Sequence, residues 1–261
     1  ADRVRTMGEP GAVNRRDGIV EPWYLGPSDD DVFWPAYRDY LLNVRNRSRD
    51  EVNDVDREST KILSLLPHSG TGRIATRGLV MGSVQSGKTG NFTAVITKAA
   101  DVGYKFFIVL SGLTNLLRSQ TQGRLDADAL QHNSDRWITL TNPDEDFTLP
   151  RSVNVNSFLT GNAAHRTMCV VKKNAFRLRR LQRWLTGARP EILRACPILI
   201  IDDEADQASL NAHRDPARRT EINRLMIEIL GALPKAAYIG YTATPYANFL
   251  TDPAEGDVYP R

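Results

Sequence analysis

Apolar residues occur along this chain in two patterns, short continuous runs and stripes at helical spacing. The continuous runs, which predict buried strands, lie at 77–81, 105–110, 137–140, 167–171, 198–201 and 236–241, with a weaker candidate at 153–158. Between them, stripes such as 92–99 and 222–233 predict helices with one buried side. Continuous apolar strands that alternate with helices are typical of a parallel sheet covered on both faces. The pattern therefore predicts an α/β protein with three layers, α/β/α, and a mostly parallel sheet.

Two of the predicted helices have short stripes, and each implies which residues face inward. In the first, the buried side is predicted to consist of Leu113, Leu116 and Leu117, and the polar face of Thr114, Asn115, Arg118, Gln120 and Gln122. In the second, the inward residues are predicted to be Phe176, Leu181, Trp184 and Leu185. The arginine-rich outer face of this second helix is more typical of solvated surface than of a binding patch.

Two further helical stripes precede the first predicted strand, and Pro67 ends the second of them. Ser48 and Glu51 have the spacing of a capping box at the start of that second helix. We therefore divide the chain into an N-terminal arm with a helical appendage, residues 1–66, and an α/β domain, residues 67–261. The appendage is expected to give structural support to the α/β domain.

Composition limits the class of protein. The chain has 261 residues, of which 25% are charged, and a formal net charge of +3, which suits one large α/β domain and permits contact with nucleic acid. No apolar run approaches the roughly 18 residues needed to cross a bilayer, so no membrane partner is expected. Its two cysteines, Cys169 and Cys196, lie in apolar runs and predict buried thiols in a reducing compartment. We expect a cytoplasmic protein.

The segment after the first predicted strand carries the most specific signal. Its sequence, GSVQSGKT at 82–89, fits the pattern GxxxxGK[ST] at every fixed position. Glycines allow a tight turn whose backbone N–H groups point inward and bind phosphate, at the positive end of the helix that follows. In such a loop the lysine reaches the β- and γ-phosphates and the hydroxyl ligates Mg²⁺. The predicted ATP-binding residues are Gly82, Gln85, Ser86, Gly87, Lys88 and Thr89, with Thr89 also a Mg²⁺ ligand.

Acidic residues follow the buried strand at 198–201, where a carboxylate can hold the Mg²⁺ of a bound triphosphate. Two registers are open. If the first acid after the strand is the ligand, it is Asp202; if the quartet that starts at Asp203 is taken as D-E-A-D, the ligand is Asp203. We prefer the second register, in which Glu204 orients or deprotonates the attacking water and Asp206 is left to contact a following motif.

Such a contact is offered by the sequence GYTATP, which ends the last predicted strand. The hydroxyls of Thr242 and Thr244 stand where they can hydrogen-bond the acids of a neighbouring strand. That geometry couples the nucleotide to the movement of a partner domain.

In their order, GxxxxGKT, DEAD and TAT resemble motifs I, II and III of superfamily two helicases and translocases. Local sequences, among them GLVMGSVQSGKTGNFTAVITKAADVGYKFFIVLSG, IIDDEADQAS and GYTATPYANFL, are more closely similar to the Z-one domain family, which occurs in large bacterial endonucleases and defence-associated ATPases. The resemblance covers about 61–250. It implies a RecA-like P-loop NTPase domain in which Gly87, Lys88 and Thr89 bind the triphosphate and Mg²⁺. By the same resemblance Asp203 and Glu204 are catalytic, and Thr242 and Thr244 couple the nucleotide to the movement of a partner domain.

Superfamily two enzymes close the nucleotide site with a second RecA-like domain that supplies an arginine finger. Few residues follow Thr244, so that domain and the nuclease region are expected elsewhere in a longer parent chain. An arginine finger accelerates hydrolysis by about 10³–10⁵ in other systems. This chain alone is therefore expected to hydrolyse ATP weakly or not at all.

Contact with DNA is predicted where the helicase analogy places it, at the turn after the second core strand and at a later strand end. The residues are Thr114, Asn115, Arg118 and Lys172, whose polar and basic side chains can donate to phosphates. The sequence does not distinguish DNA from RNA. We interpret the chain as the ATP- and Mg²⁺-binding motor half of a DNA-acting restriction or phage-defence endonuclease. The alternative is an ATP-dependent switch or scaffold that does not translocate; a small-molecule kinase is a third reading, but it leaves the DEAD and TAT motifs unexplained.

Overall fold

The computed structural model describes residues 11–13, 22–81, 87–148, 154–160, 164–205 and 216–242, with the backbone alone at 11–13 and 216–220. Its strands are β1 (Gly11–Val13), β2 (Ile74–Met81), β3 (Phe106–Ser111), β4 (Trp137–Thr139), β5 (Arg166–Lys172), β6 (Ile198–Asp203) and β7 (Lys235–Thr242). They form a seven-stranded sheet in the order β1-β2-β7-β6-β3-β5-β4. β1 runs antiparallel to β2, and the other six strands are parallel to one another.

The helices are α1 (Phe33–Asn43), α2 (Arg49–Ser64), α3 (Lys88–Asp101), α4 (Asn115–Leu125), α5 (Val155–Thr160), α6 (Ala175–Thr186), α7 (Pro190–Ala195) and α8 (Pro216–Ala232). The first two precede β2, and α3 to α8 connect the parallel strands. A π-helical turn, Asp126–Leu130, and a 3-10 turn, Gln131–Asn133, continue α4. The helices follow the strands closely because a parallel pair needs a crossover connection.

The pleat of β3 divides the core into two layers. Phe107 and Val109 pack in one cluster with residues of α2 and α3, whereas Phe106 and Ile108 pack in a second cluster with residues of α6, α7 and α8. Side chains at alternate positions of a strand point to opposite faces, so each face of the sheet is covered by its own layer of helices. The predicted three-layer, RecA-like α/β/α fold is confirmed.

Both N-terminal helices are tied to α3 by buried polar groups. The carboxylate of Asp101, at the end of α3, accepts the first backbone N–H groups of α1 at 2.7–2.8 Å, from Val32, Phe33 and Trp34. Lys98 is fully buried and donates to the carbonyl of Asp56 on α2 at 2.7 Å. The predicted capping box at the start of α2 is present, with Ser48 and Glu51 bonded to each other's backbone N–H. The division of the chain at residues 66 and 67 remains a prediction.

Three predictions about local structure are wrong. Within the run at 153–158, a candidate strand, the residues from 155 onward are part of helix α5. Leu116 and Phe176, both predicted to face inward, are 67% and 60% exposed. In α6, Leu178 takes the inward position instead of Phe176, because it lies one turn before the buried Leu181.

The buried side of α4 is polar. Arg118, Thr121, Gln122 and Leu125, at helical spacing, are its buried residues. Gln122 donates to Asp126 at 2.8 Å and accepts from the hydroxyl of Thr141 at 2.7 Å. Buried polar groups are tolerated when hydrogen bonds satisfy them, so these contacts turn the polar side of the helix inward and leave Leu116 exposed and Leu113 and Leu117 half-buried.

Candidate nucleotide-binding site

The strand ends that carry the predicted motifs meet at one edge of the sheet. β7 lies between β2 and β6, and its register pairs Thr242 with Met81 on one side and Tyr241 with Asp203 on the other. The strand entering the GSVQSGKT segment and the strand ending in acids are therefore one strand apart. Ligands of open α/β sheets bind outside the carboxyl ends of the strands, which is where these residues lie.

Helix α3 begins as the motif requires. Gly87, the residue before the helix, has φ +66°, a left-handed conformation that glycine adopts without strain. Lys88 and Thr89 form the first turn and are half-buried, and this first turn leaves backbone N–H groups without helical partners. Gly82, Gln85 and Ser86 lie outside the described residues.

Charges converge on Asp203. Burial raises the pKa of its carboxyl group above the usual range, while the nearby cations of Lys173, Lys88 and Arg124 act in the opposite direction. Arg124, in the last turn of α4, also donates to the Thr89 hydroxyl at 3.4 Å. Lys88, Thr89 and Asp203 therefore share one neighbourhood, as the nucleotide-site hypothesis requires.

Asp202, the alternative ligand, is already engaged. Its side chain is fully buried, with one oxygen accepting from the Lys173 ammonium at 2.7 Å and the other from the Tyr238 hydroxyl at 2.8 Å. Ligation of a metal by this carboxylate would compete with both contacts. The geometry therefore favours Asp203 as the residue that faces the site.

Sequence analysis assigned no role to Lys173, which follows Lys172 at the end of β5. Lys173 is fully buried, and its ammonium donates to Asp202 and to the backbone carbonyls of Asp203 and Glu204 at 2.7–2.8 Å. These contacts fix the chain at the point where β6 ends. The sequence signal for this contact was a pair of lysines at the end of one buried strand and a pair of aspartates at the end of another.

Glu204 has an uncommon backbone. Its φ is +61°, in the left-handed region that non-glycine residues seldom adopt and that often marks functional sites. Its carboxylate lies against the turn between β3 and α4, where a Cβ added to Gly112 would stand 2.9 Å from Oε2. The role of Glu204 in handling water remains a prediction.

A buried contact links β7 to the nucleotide-site helix. The Tyr241 hydroxyl donates to Asn91 on α3 at 2.9 Å, and its ring packs edge-on against Phe92. Thr242, the next residue, is fully buried. A movement of α3 would therefore reach β7 directly. Of the other predicted coupling residues, Asp206 and Thr244 lie outside the described residues.

The residues predicted to contact nucleic acid divide into two groups. Thr114 and Asn115 are exposed at the start of α4, where Thr114 caps the helix and Asn115 accepts from the half-buried Lys172 at 2.5 Å. Arg118 is only 2% exposed and donates to the carbonyl of Pro143 at 2.5 Å. The expectation that Arg118 lies on an open polar face is wrong, because its guanidinium holds the 142–146 turn onto α4.

Two described oxygen donors, on Thr89 and Asp203, are the predicted ligands of a metal ion. Within the described ranges, no group of three or more His, Cys, Asp or Glu side chains is placed to hold a metal ion. Magnesium in nucleotide sites is held by one or two protein ligands together with the phosphates. The Thr89 hydroxyl and the Asp203 carboxylate are the predicted pair, beside the Lys88 cation.

Comparison with known proteins leaves the family open: no family model matches the chain, and no curated protein matches its sequence significantly. Membership of the Z-one domain family thus stays a prediction. In the part of the chain that the structure describes, no helix combines the length and apolarity needed to cross a bilayer.

Proposed function

We propose that this chain binds ATP with Mg²⁺ at the carboxyl edge of its sheet and is the motor half of a DNA-acting, helicase- or translocase-like protein of the restriction or phage-defence type. One observation carries the proposal. Lys88 and Thr89, at the start of α3, share a neighbourhood with Asp203, at the end of β6, although more than a hundred residues separate them.

Each residue has a role in this reading. Lys88 and the first-turn N–H groups of α3 bind the phosphates, and the Thr89 hydroxyl and Asp203 carboxylate hold the metal ion. Bound Mg²⁺ would neutralise charge on the β- and γ-phosphate oxygens. Glu204, held by Lys173 through its backbone carbonyl, orients the water that attacks the terminal phosphate.

DNA is the proposed partner because polar and basic side chains extend along the same edge. Thr114, Asn115 and Lys172 lie at the ends of β3 and β5, the two strands that follow the acid-bearing β6 in the sheet. Donors of this kind can contact phosphates, and contacts to phosphates carry no sequence information of their own. The second RecA-like domain and the nuclease region are proposed to belong to the parent chain.

A switch that binds ATP without translocating is the second candidate. The buried position of Arg118 favours it, since one of four predicted contacts to nucleic acid is used inside the fold. The internal link from Asn91 on α3 to Tyr241 on β7 serves a switch as well as a motor.

Calorimetric titration with a non-hydrolysable ATP analogue tests the nucleotide site. We expect Mg²⁺-dependent binding by the wild-type chain, and loss of that binding in Lys88→Ala. The control is Lys61→Ala, an exposed lysine on α2. Wild-type protein that binds no nucleotide, or Lys88→Ala protein that binds as well as wild type, would refute the proposed site.

ATPase rates of the parent protein, measured with and without DNA, separate the two candidates. A motor is expected to be stimulated by DNA, and the stimulation should fall steeply as salt rises, because phosphate contacts release counterions. A rate that no nucleic acid changes at any salt concentration would favour the switch.

A further inference from the structure

Helix α4 brings an arginine to the first turn of α3. Arg124 lies in the last turn of α4, is exposed, and donates from Nη1 to the Thr89 hydroxyl at 3.4 Å. Thirty-five residues separate the two along the chain, so the fold and not local sequence sets the contact. Sequence analysis assigned Arg124 no role.

The backbone that carries Arg124 is firmly held. Leu125, the next residue, is fully buried in the core. Gln122, two residues earlier, is also fully buried and bonded to Asp126 and Thr141. The guanidinium therefore extends from a fixed helix end, and its reach toward α3 does not depend on a loose loop.

The guanidinium of Arg124 has no neutralising carboxylate among the described residues. Its cation acts on Asp203 across the site, and among the described residues no carboxylate lies within ion-pair distance of it. A planar guanidinium is always charged and matches two phosphate oxygens at once. Its position beside the Thr89 hydroxyl puts this group next to the predicted ligand of the metal, where the terminal phosphates of a nucleotide would lie.

We propose that Arg124 binds the terminal phosphate of ATP and gives the site its preference for a triphosphate over a diphosphate. This inference rests on the proposed nucleotide site. Lys88 serves both nucleotides because it reaches the β- and γ-phosphates, whereas Arg124 approaches from α4, beside the Thr89 hydroxyl, and in this proposal serves the γ-phosphate alone. The chain would thus supply from within itself a cation of the kind otherwise expected from a second domain.

The test compares the affinity of the chain for a non-hydrolysable ATP analogue and for ADP, both with Mg²⁺, by calorimetry. Arg124→Ala is expected to weaken analogue binding by about 10- to 100-fold, the range of a charge-assisted hydrogen bond, and to change ADP binding by less than about twofold. The analogue affinity of Arg124→Lys should lie between those of wild type and Arg124→Ala, because the ammonium keeps the positive charge but lacks the paired N–H donors of the guanidinium. Arg38→Ala, an exposed arginine on α1, is the matched control and should change neither affinity.

The results distinguish failure of the Arg124 role from failure of the nucleotide site. An unchanged analogue affinity in Arg124→Ala would overturn the role of Arg124 and leave the nucleotide site intact. Equal losses for the analogue and ADP, in both Arg124→Ala and Arg124→Lys, would overturn the assignment to the terminal phosphate. A wild-type chain that binds neither nucleotide would overturn the nucleotide site itself.

Discussion

Replacing Lys173 by methionine perturbs the most buried polar contact of the site. Methionine keeps an unbranched side chain of similar length but removes the ammonium. Lys173 and Asp202 are both 0% exposed, and the ammonium also serves two backbone carbonyls at the end of β6. After the substitution, the Tyr238 hydroxyl remains as a described partner of a carboxylate that cannot reach solvent.

Loss of one partner from a buried ion pair costs about 3–5 kcal/mol, because the remaining charge stays buried. The two carbonyls that lose their donor add to this cost, and relaxation of the chain subtracts from it. We therefore expect the free energy of unfolding of Lys173→Met to fall by about 4 kcal/mol, a large part of the roughly 5–15 kcal/mol typical of a domain.

Urea unfolding followed by circular dichroism measures this loss, and the adjacent Lys172→Met is the matched control. Lys172 is half-buried and bonded to the exposed Asn115, so its loss should cost less than about 1 kcal/mol. The double variant Lys173→Met with Asp202→Asn should recover at least about 1 kcal/mol relative to additivity, because it removes both charges. Equal costs for the two lysine variants, or strict additivity in the double variant, would refute the reasoning.

Five other substitutions give four separate tests. Asp203→Asn should abolish the Mg²⁺ dependence of nucleotide binding at nearly unchanged stability, whereas Asp202→Asn should lower stability and keep the Mg²⁺ dependence. Nucleotide titrations with and without Mg²⁺ measure this. Loss of the Mg²⁺ dependence in Asp202→Asn and not in Asp203→Asn would contradict the assignment. Burial lowers the pKa of Lys98 to about 8, although the carboxylate of Asp56 acts in the opposite direction. Between pH 8 and about 10 the unfolded chain therefore binds more protons than the folded chain. The free energy of unfolding then rises with pH, by at most about 1.4 kcal/mol per pH unit. Lys98→Met should lack this rise in urea titrations, and an identical slope would argue against it. Asp101→Ala should lose about 2 kcal/mol, as it leaves three N–H groups of α1 without their acceptor; a loss under 0.5 kcal/mol in the same titrations (about the effect of a plain surface change) would contradict this. Arg118→Ala should cost about 1–3 kcal/mol and leave the DNA affinity of the folded protein unchanged, and an affinity loss at full stability would restore its phosphate role.

Local signals in the sequence predicted the elements that local physics determines. The capping box of Ser48 and Glu51 and the start of α3 at Lys88 each depend on residues within one helical turn. Long apolar runs predicted the strands of the parallel core, because both faces of those strands are buried. These features could be read without knowledge of the fold.

Contacts between distant segments could not be predicted in the same way. The face that α4 buries depends on the turn at Pro143, which accepts from Arg118, and a three-leucine stripe gives no sign of that acceptor. Lys173 directly follows β5 and Asp202 lies on β6, and β3 separates these two strands in the sheet. Their pairing follows from the strand order. The contact of Arg124 with Thr89 depends on the packing of α4 beside α3.

The pleat of β6 explains why two consecutive aspartates have different roles. Ile201 packs in the cluster that contains α3, and Ile200 packs in the opposite cluster with Tyr238. Side chains alternate along a strand, so Asp203 shares the face of Ile201, toward α3 and Lys88, and Asp202 shares the face of Ile200, toward Tyr238. The hydrogen bond from Tyr238 to Asp202 and the effect of Lys88 on Asp203 agree with this division. The two consecutive acids therefore lie on opposite faces of the sheet, Asp202 in the buried contact with Lys173 and Tyr238 and Asp203 on the side of the proposed nucleotide site.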